Sequence, residues 1–251
     1  MRILYLGDIV GEKTISVLQQ HLELIKKEYK INMVLCNAEN VSKGKGLTYK
    51  HYKELKSLGI AGMSMGNHTF SKSEIKDYLN EATICIPANL NSTIGKKVLY
   101  IKYNDKVIAL VNMMGRVFVN SPLDCPFKTM ESLLNEIKAD YIIVDFHGEA
   151  TSEKKAFFYE FAGRVSAVVG SHTHVKTADK EVYKTTCYIS DMGMCGPKYS
   201  ILGDNVEQVI NRFKTGIFET LSVSEDNEFV LNGVILDFGT TNKIEDFHKT
   251  I

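Results

Sequence analysis

The sequence predicts an α/β fold in which two mixed β-sheets pack face to face with helices outside, a four-layer α-β-β-α sandwich. Two observations lead there. Strand-like and helix-like segments alternate through the first third, which favours parallel strands joined by crossover helices. Strand–turn–strand segments follow later, which adds antiparallel strands. A chain of 251 residues can bury a full α/β core. No internal repeat, low-complexity stretch or Pro/Ser/Gly linker divides it, so a single domain over residues 1–251 is expected.

Residues 3–6 read as a buried strand ending at Gly7-Asp8. Ile15, Leu18, Leu22 and Ile25 then recur at helical spacing, which predicts an amphipathic helix over residues 13–29. A second strand, 33–36, runs into the polar loop Asn37-Ala38-Glu39-Asn40. Helix 49–58 and strand 60–65 follow, the latter stopping at Gly66-Asn67-His68. A further helix is expected to begin near Ser71, capped by Ser71 or Ser73. Residues 98–103 and 107–111 flank Asn104-Asp105 as a hairpin. Residues 133–137 read as helical, 141–145 as a strand leading into Phe146-His147, and 153–162 as helix. Strand 165–169 ends at Gly170-Ser171-His172-Thr173-His174. Residues 217–223 and 229–236, around Glu225-Asp226-Asn227, form the expected second hairpin.

Thirty basic and thirty acidic residues cancel, which gives no strong nucleic-acid-binding signal. No apolar run approaches the roughly 20 residues that span a bilayer, so no membrane association is expected. The opening residues lack a secretory pattern, and a cytoplasmic location is the expectation. Five cysteines without a CxxC pair read as reduced thiols. Cys195, in a Gly-rich stretch, is the one to watch for redox control, and the 192–199 segment is expected to be a loop able to move.

Asp8, Glu39, Asn67, His147 and the pair His172/His174 all lie just past an expected strand end. In open α/β sheets ligands bind beyond the carboxyl ends of the strands. Singly, each has a plain structural reading: a cap, an Asx turn, a hydrogen-bonded histidine. Together they deliver carboxylate, amide and imidazole groups to one rim, too many for one ion with an open position. Two ions bridged by one carboxylate use them economically. Oxygen and imidazole ligands without thiolate suit Mn, Fe or Zn better than Ca or Mg. His21, His51 and His248 fall outside every strand-end motif.

Gly7-Asp8, Asn37-Ala38-Glu39-Asn40, Gly66-Asn67-His68-Thr69, Phe146-His147 and Gly170-Ser171-His172-Thr173-His174 resemble the motifs of the calcineurin-like metallophosphoesterases. More closely, the chain resembles their bacterial YmdB-like branch, which the segments 148–154 and 191–197 also match in order. The resemblance implies that Glu39 bridges two ions. Asp8 and His174 complete the first site, and Asn67, His147 and His172 the second. The superfamily usually carries a histidine two residues after the first aspartate. Here that position is Val10, and Asn40 is the candidate that fills in. His68 matches the position that faces substrate.

Two ions held by these residues would lower the pKa of a water and so activate it for attack on phosphorus in line with the leaving oxygen. His68 assists that departure, as general acid or as electrostatic stabiliser. The resemblance implies a phosphodiesterase of 2′,3′-cyclic nucleotides and tilts the metal toward iron or manganese. Competing readings are a phosphomonoesterase or nuclease with the same site, and a metal-binding regulatory protein with little catalysis. The expected partner is a small phosphodiester or nucleotide, with homo-oligomerisation left open. Arg116 is a weaker candidate for phosphate binding, against the plainer reading of an exposed loop arginine.

Overall fold

The computed structural model describes all 251 residues. The elements in chain order are β1 (Arg2–Ile9), α1 (Lys13–Glu28), β2 (Met33–Asn37), α2 (Tyr49–Ser57), β3 (Ile60–Ser64), α3 (Ile75–Tyr78), β4 (Ile84–Cys85), β5 (Val98–Tyr103) and β6 (Lys106–Met114). Then come α4 (Pro126–Leu134), β7 (Tyr141–His147), α5 (Thr151–Phe161), β8 (Ala167–Ser171), β9 (Glu181–Tyr183), β10 (Thr186–Ile189) and β11 (Met194–Pro197). The chain closes with α6 (Val206–Thr215), β12 (Phe229–Asp237) and β13 (Lys243–Thr250).

One sheet has the order β13-β12-β11-β1-β2-β3-β4 and the other β5-β6-β7-β8-β10-β9. Strands β11, β1, β2, β3 and β4 run parallel; β12 lies antiparallel to β1 and β11, and β13 antiparallel to β12 at the edge. The second sheet keeps β6, β7, β8 and β10 parallel between two antiparallel edges. Both sheets are therefore mixed, as the sequence predicts.

The alternation of strand side chains builds three apolar layers. Ile3 and Tyr5 of β1 face the second sheet and pack with Leu110, Ile143 and Val169. Leu4 and Leu6, the alternate residues, pack outward against Ile15, Leu18, Leu22 and Ile25 of α1. Outside the second sheet, Val144 and Phe146 of β7 meet Phe157, Phe158 and Phe161 of α5. Helix, sheet, sheet and helix form the four layers.

Four segments assigned from the sequence take a different form in the structure. The helix expected from Ser71 is the single turn α3, and no side chain caps it. Residues 66–71 instead fold into tight turns, with Thr69 N–H donating to the Gly66 carbonyl and Ser71 N–H to that of His68. The helix read at 133–137 lies earlier, as α4: it starts at Pro126, whose missing N–H costs nothing in a first turn, and ends at Leu134. The partner of β12 in the C-terminal hairpin is β13, not residues 217–223. Strand β12 already pairs with β1, β11 and β13, which leaves no edge for that segment. Finally, β11 occupies the expected mobile loop, and Cys195 is buried inside the sheet. No helix is long and apolar enough to cross a membrane.

Candidate metal centre

Asp8 lies near the end of β1, Glu39 and Asn40 just past β2, and Asn67 past β3. His147 is the last residue of β7, and His172 and His174 follow β8. The carboxyl ends of strands from both sheets thus meet at one rim. Asp8, Glu39, Asn40 and His147 are buried, while Asn67 is exposed and His172 and His174 are half-buried. Gly66 permits the approach: a Cβ there would sit 2.4 Å from the His147 ring and 2.6 Å from Glu39 Oε2.

The three imidazoles share a pattern. His147 Nδ1 is 2.9 Å from Ser171 Oγ, whose hydroxyl donates to Asp145 Oδ1 at 2.6 Å. His174 Nδ1 donates to the Leu202 carbonyl at 2.7 Å. His172 Nε2 lies 3.2 Å from Glu149 Oε2. Each ring engages an outer acceptor through one nitrogen and turns the other inward, as metal-binding histidines do.

The inward atoms converge. His147 Nε2 lies 2.9 Å from Glu39 Oε1, 3.0 Å from Asn67 Oδ1 and 3.0 Å from His172 Nδ1. One hydrogen on that nitrogen serves at most one of these three acceptors. Glu39, His147 and His172 hold their ligating atoms within 4.8 Å of one another. His174 Nε2 is 4.0 Å from Asp8 Oδ1. Asp8 Oδ1 and Asn40 Oδ1 are buried without any hydrogen-bond partner. Buried oxygens of this kind are costly unless something positive meets them. The residues present therefore fit divalent cations.

The charges bear this out. Burial pushes the Asp8 carboxyl up to about 6, against the pull of His174 and His147. Burial also acts upward on Glu39, but His147 and the His68 backbone N–H outweigh it and hold the carboxyl down at about 2. His147 is the counterpart: burial lowers it, and Glu39 overrides this and raises it to about 9. Burial and His147 hold His172 down at about 4. A resident cation replaces this mutual compensation between acid and imidazole.

His68 lines the cavity beside the cluster, with its N–H donated to Glu39 Oε2 at 2.8 Å and its Nδ1 3.3 Å from Ser71 Oγ. The cavity has a volume of about 1150 Å³ and is also lined by Asn40, His172 and His174. Arg116 lies elsewhere: its exposed backbone N–H is held by Glu153 at 3.0 Å, and its side chain does not line the cavity.

The sequence reading assigned no role to a supporting shell. Asp145 is fully buried; its Oδ2 accepts from Asn37 Nδ2 at 3.1 Å, from Tyr5 Oη at 3.3 Å and from Ser64 Oγ. Lys154, also fully buried, donates to the Ser171 carbonyl at 2.7 Å and to Asp191 Oδ2 at 3.0 Å. Asp191 in turn accepts Thr173 N–H at 2.9 Å and Gly193 N–H at 2.8 Å. His172 and His174 have φ of 102° and 65°, conformations that persist only where their surroundings enforce them. The Lys154–Asp191 pair holds Ser171 and Thr173 on either side of His172, and the Leu202 carbonyl holds the His174 ring. An acid and a lysine inside the apolar runs 141–146 and 154–161 were the available signals.

The model of the YmdB-like protein family matches residues 4–250. A Bacillus subtilis (strain 168) protein, the 2′,3′-cyclic-nucleotide 2′-phosphodiesterase, is 42% identical over 97% of this chain and 93% of its own length. A Thermus thermophilus structure described as a hypothetical protein superposes with a TM-score of 0.94 at 35% identity, covering 100% of this chain and 99% of that one. A Mycoplasma pneumoniae structure described as a novel phosphatase gives a TM-score of 0.93 at 36% identity, over 100% of this chain and 93% of that one.

Proposed function

The chain belongs to the YmdB-like protein family and is a phosphoric ester hydrolase, and from that premise we propose that it is a two-metal phosphodiesterase of 2′,3′-cyclic nucleotides. The carrying observation is the convergence of Glu39, Asn67, His147 and His172 atoms on one point, beside the unpartnered buried oxygens of Asp8 and Asn40.

In this reading Asp8, Glu39, Asn40 and His174 hold one divalent cation. Glu39, Asn67, His147 and His172 hold the second, with Glu39 shared. Mixed oxygen and imidazole donors suit iron, manganese or zinc, and membership of the YmdB-like family tilts the choice toward iron or manganese. When bound, the cations supply Lewis acidity that neutralises phosphate charge and activates water near neutral pH.

The protein's own groups do the rest. Ser171 and Asp145 keep the proton on His147 Nδ1, which fixes that ring's orientation. Opening the cyclic diester at the 2′ oxygen adds water across the P–O bond and leaves a 3′-phosphomonoester and a 2′-hydroxyl. The departing oxygen needs a proton, and His68 supplies it from the cavity wall. Burial lowers the His68 pKa against the opposing pull of Glu39, which makes its imidazolium a stronger acid.

The test is chromatography of 2′,3′-cyclic AMP incubated with chelator-treated protein, before and after Mn²⁺ or Fe²⁺ is restored. Metal-dependent formation of 3′-AMP supports the reading. No turnover by the restored protein contradicts it.

A further inference from the structure

We infer that the segment between α6 and β12 carries a nucleobase subsite in which Phe218, backed by Arg212, stacks the base of the substrate. This rests on the reading of the substrate as a nucleotide.

Phe218 lines the same cavity as Glu39, His68 and His174, yet the residue is 78% exposed. The Arg212 guanidinium lies 4.4 Å from the ring centroid. An exposed aromatic does nothing for the core, and a guanidinium on one face leaves the other free to stack.

The segment is held at both ends. Helix α6 ends at Gly216 in the left-handed conformation, and Ile217 N–H donates to Thr215 Oγ1 at 3.2 Å. At the far end, Ser222 N–H donates to Gln208 Oε1 at 2.9 Å, and the Ser222 carbonyl accepts Asn205 N–H at 2.8 Å. Ser224 N–H reaches the Gly203 carbonyl at 2.9 Å. Val223 then seats on Gly11 and Gly44, where added Cβ atoms would lie 2.9 and 3.3 Å from its methyl groups. Gly44 is next to Lys45 and accepts from Asn40 Nδ2 at 2.9 Å, so the anchor ties the segment to a residue of the proposed centre. Phe218 is thus presented over the cavity by a braced arch.

A ring stacked on a base reads its face and not its hydrogen-bonding edge, so the subsite accepts all four bases and favours the larger purines. The cavity exceeds what most small ligands fill, which leaves room for ribose and base beyond the phosphate.

The experiment compares wild type, F218A and R212A on 2′,3′-cyclic AMP and on the 2,3-cyclic phosphate of methyl riboside, which has no base. F218A is expected to raise KM for the nucleotide about 10-fold with kcat within about 3-fold. The preference for nucleotide over base-free ester should fall by the same factor, and R212A should give a smaller change in the same direction. The chain has no tryptophan, so F218W introduces a single indole. Its fluorescence is expected to be quenched by 3′-AMP and not by ribose 5-phosphate. An unchanged preference in F218A, or no quenching in F218W, overturns the subsite alone. Wild type that turns over neither ester removes the nucleotide reading and the subsite with it.

Discussion

His147 Nδ1 and Asp145 are joined through a single hydroxyl: Ser171 Oγ lies 2.9 Å from the ring nitrogen and 2.6 Å from Asp145 Oδ1. Asp145 is in turn held by Asn37, Tyr5 and Ser64, one contact chain across the space between the sheets. The layer that packs the sheets together therefore also orients the histidine that faces Glu39 and Asn67.

Breaking this relay should loosen metal before it unfolds the protein. For S171A we expect metal affinity to fall about 10–100-fold, the usual cost of losing such a partner. Competition with a fluorescent chelator measures it, and an affinity equal to wild type refutes the orienting role.

His68 is expected to act on the reaction and not on metal retention. H68A should lose about 10²–10⁴-fold in kcat on 2′,3′-cyclic AMP, while its metal content by elemental analysis stays at the wild-type value. A proportional loss of metal would place His68 in the scaffold.

Lys154 and Asp191 form a pair with both side chains at most 1% exposed. K154M leaves Asp191 buried and uncompensated, and about 3–5 kcal/mol of stability should be lost in urea unfolding. The double variant K154M/D191N should recover part of that loss, since it removes the stranded charge.

Thiol chemistry should separate the cysteines. Burial pushes Cys195 up to about 12, and its Sγ donates to the Asn232 carbonyl at 3.1 Å. Cys125, half-buried at the start of α4, is lowered by the N–H groups of Lys128 and Phe127. Iodoacetamide on native protein is expected to label Cys125 first, at lower pH than a free thiol, and to leave Cys195 and activity untouched. Mass spectrometry of the labelled protein checks this.

The parallel βα units were legible because each strand ends in a polar residue and each helix repeats its apolar face at 3.6 residues. Those strand ends placed Asp8, Glu39, Asn67, His147, His172 and His174 on one rim, and the structure brings them together. The 181–197 strands were not legible: they are three and four residues long, and the glycines of 193–196 resemble a loop. Residues 217–223 carry a strand-like composition, but the pairing of β12 is complete without them. Asp145 and Lys154 were visible as charges in apolar runs, yet their partners Ser171 and Asp191 are distant in sequence, and only the packed sheets show the pairing.

Anomalous diffraction from crystals grown with Mn²⁺ would show the centre itself. Two manganese peaks are expected, one contacting Asp8 and His174, the other Asn67, His147 and His172, with Glu39 touching both. A single peak, or none among these residues, would contradict a two-metal centre.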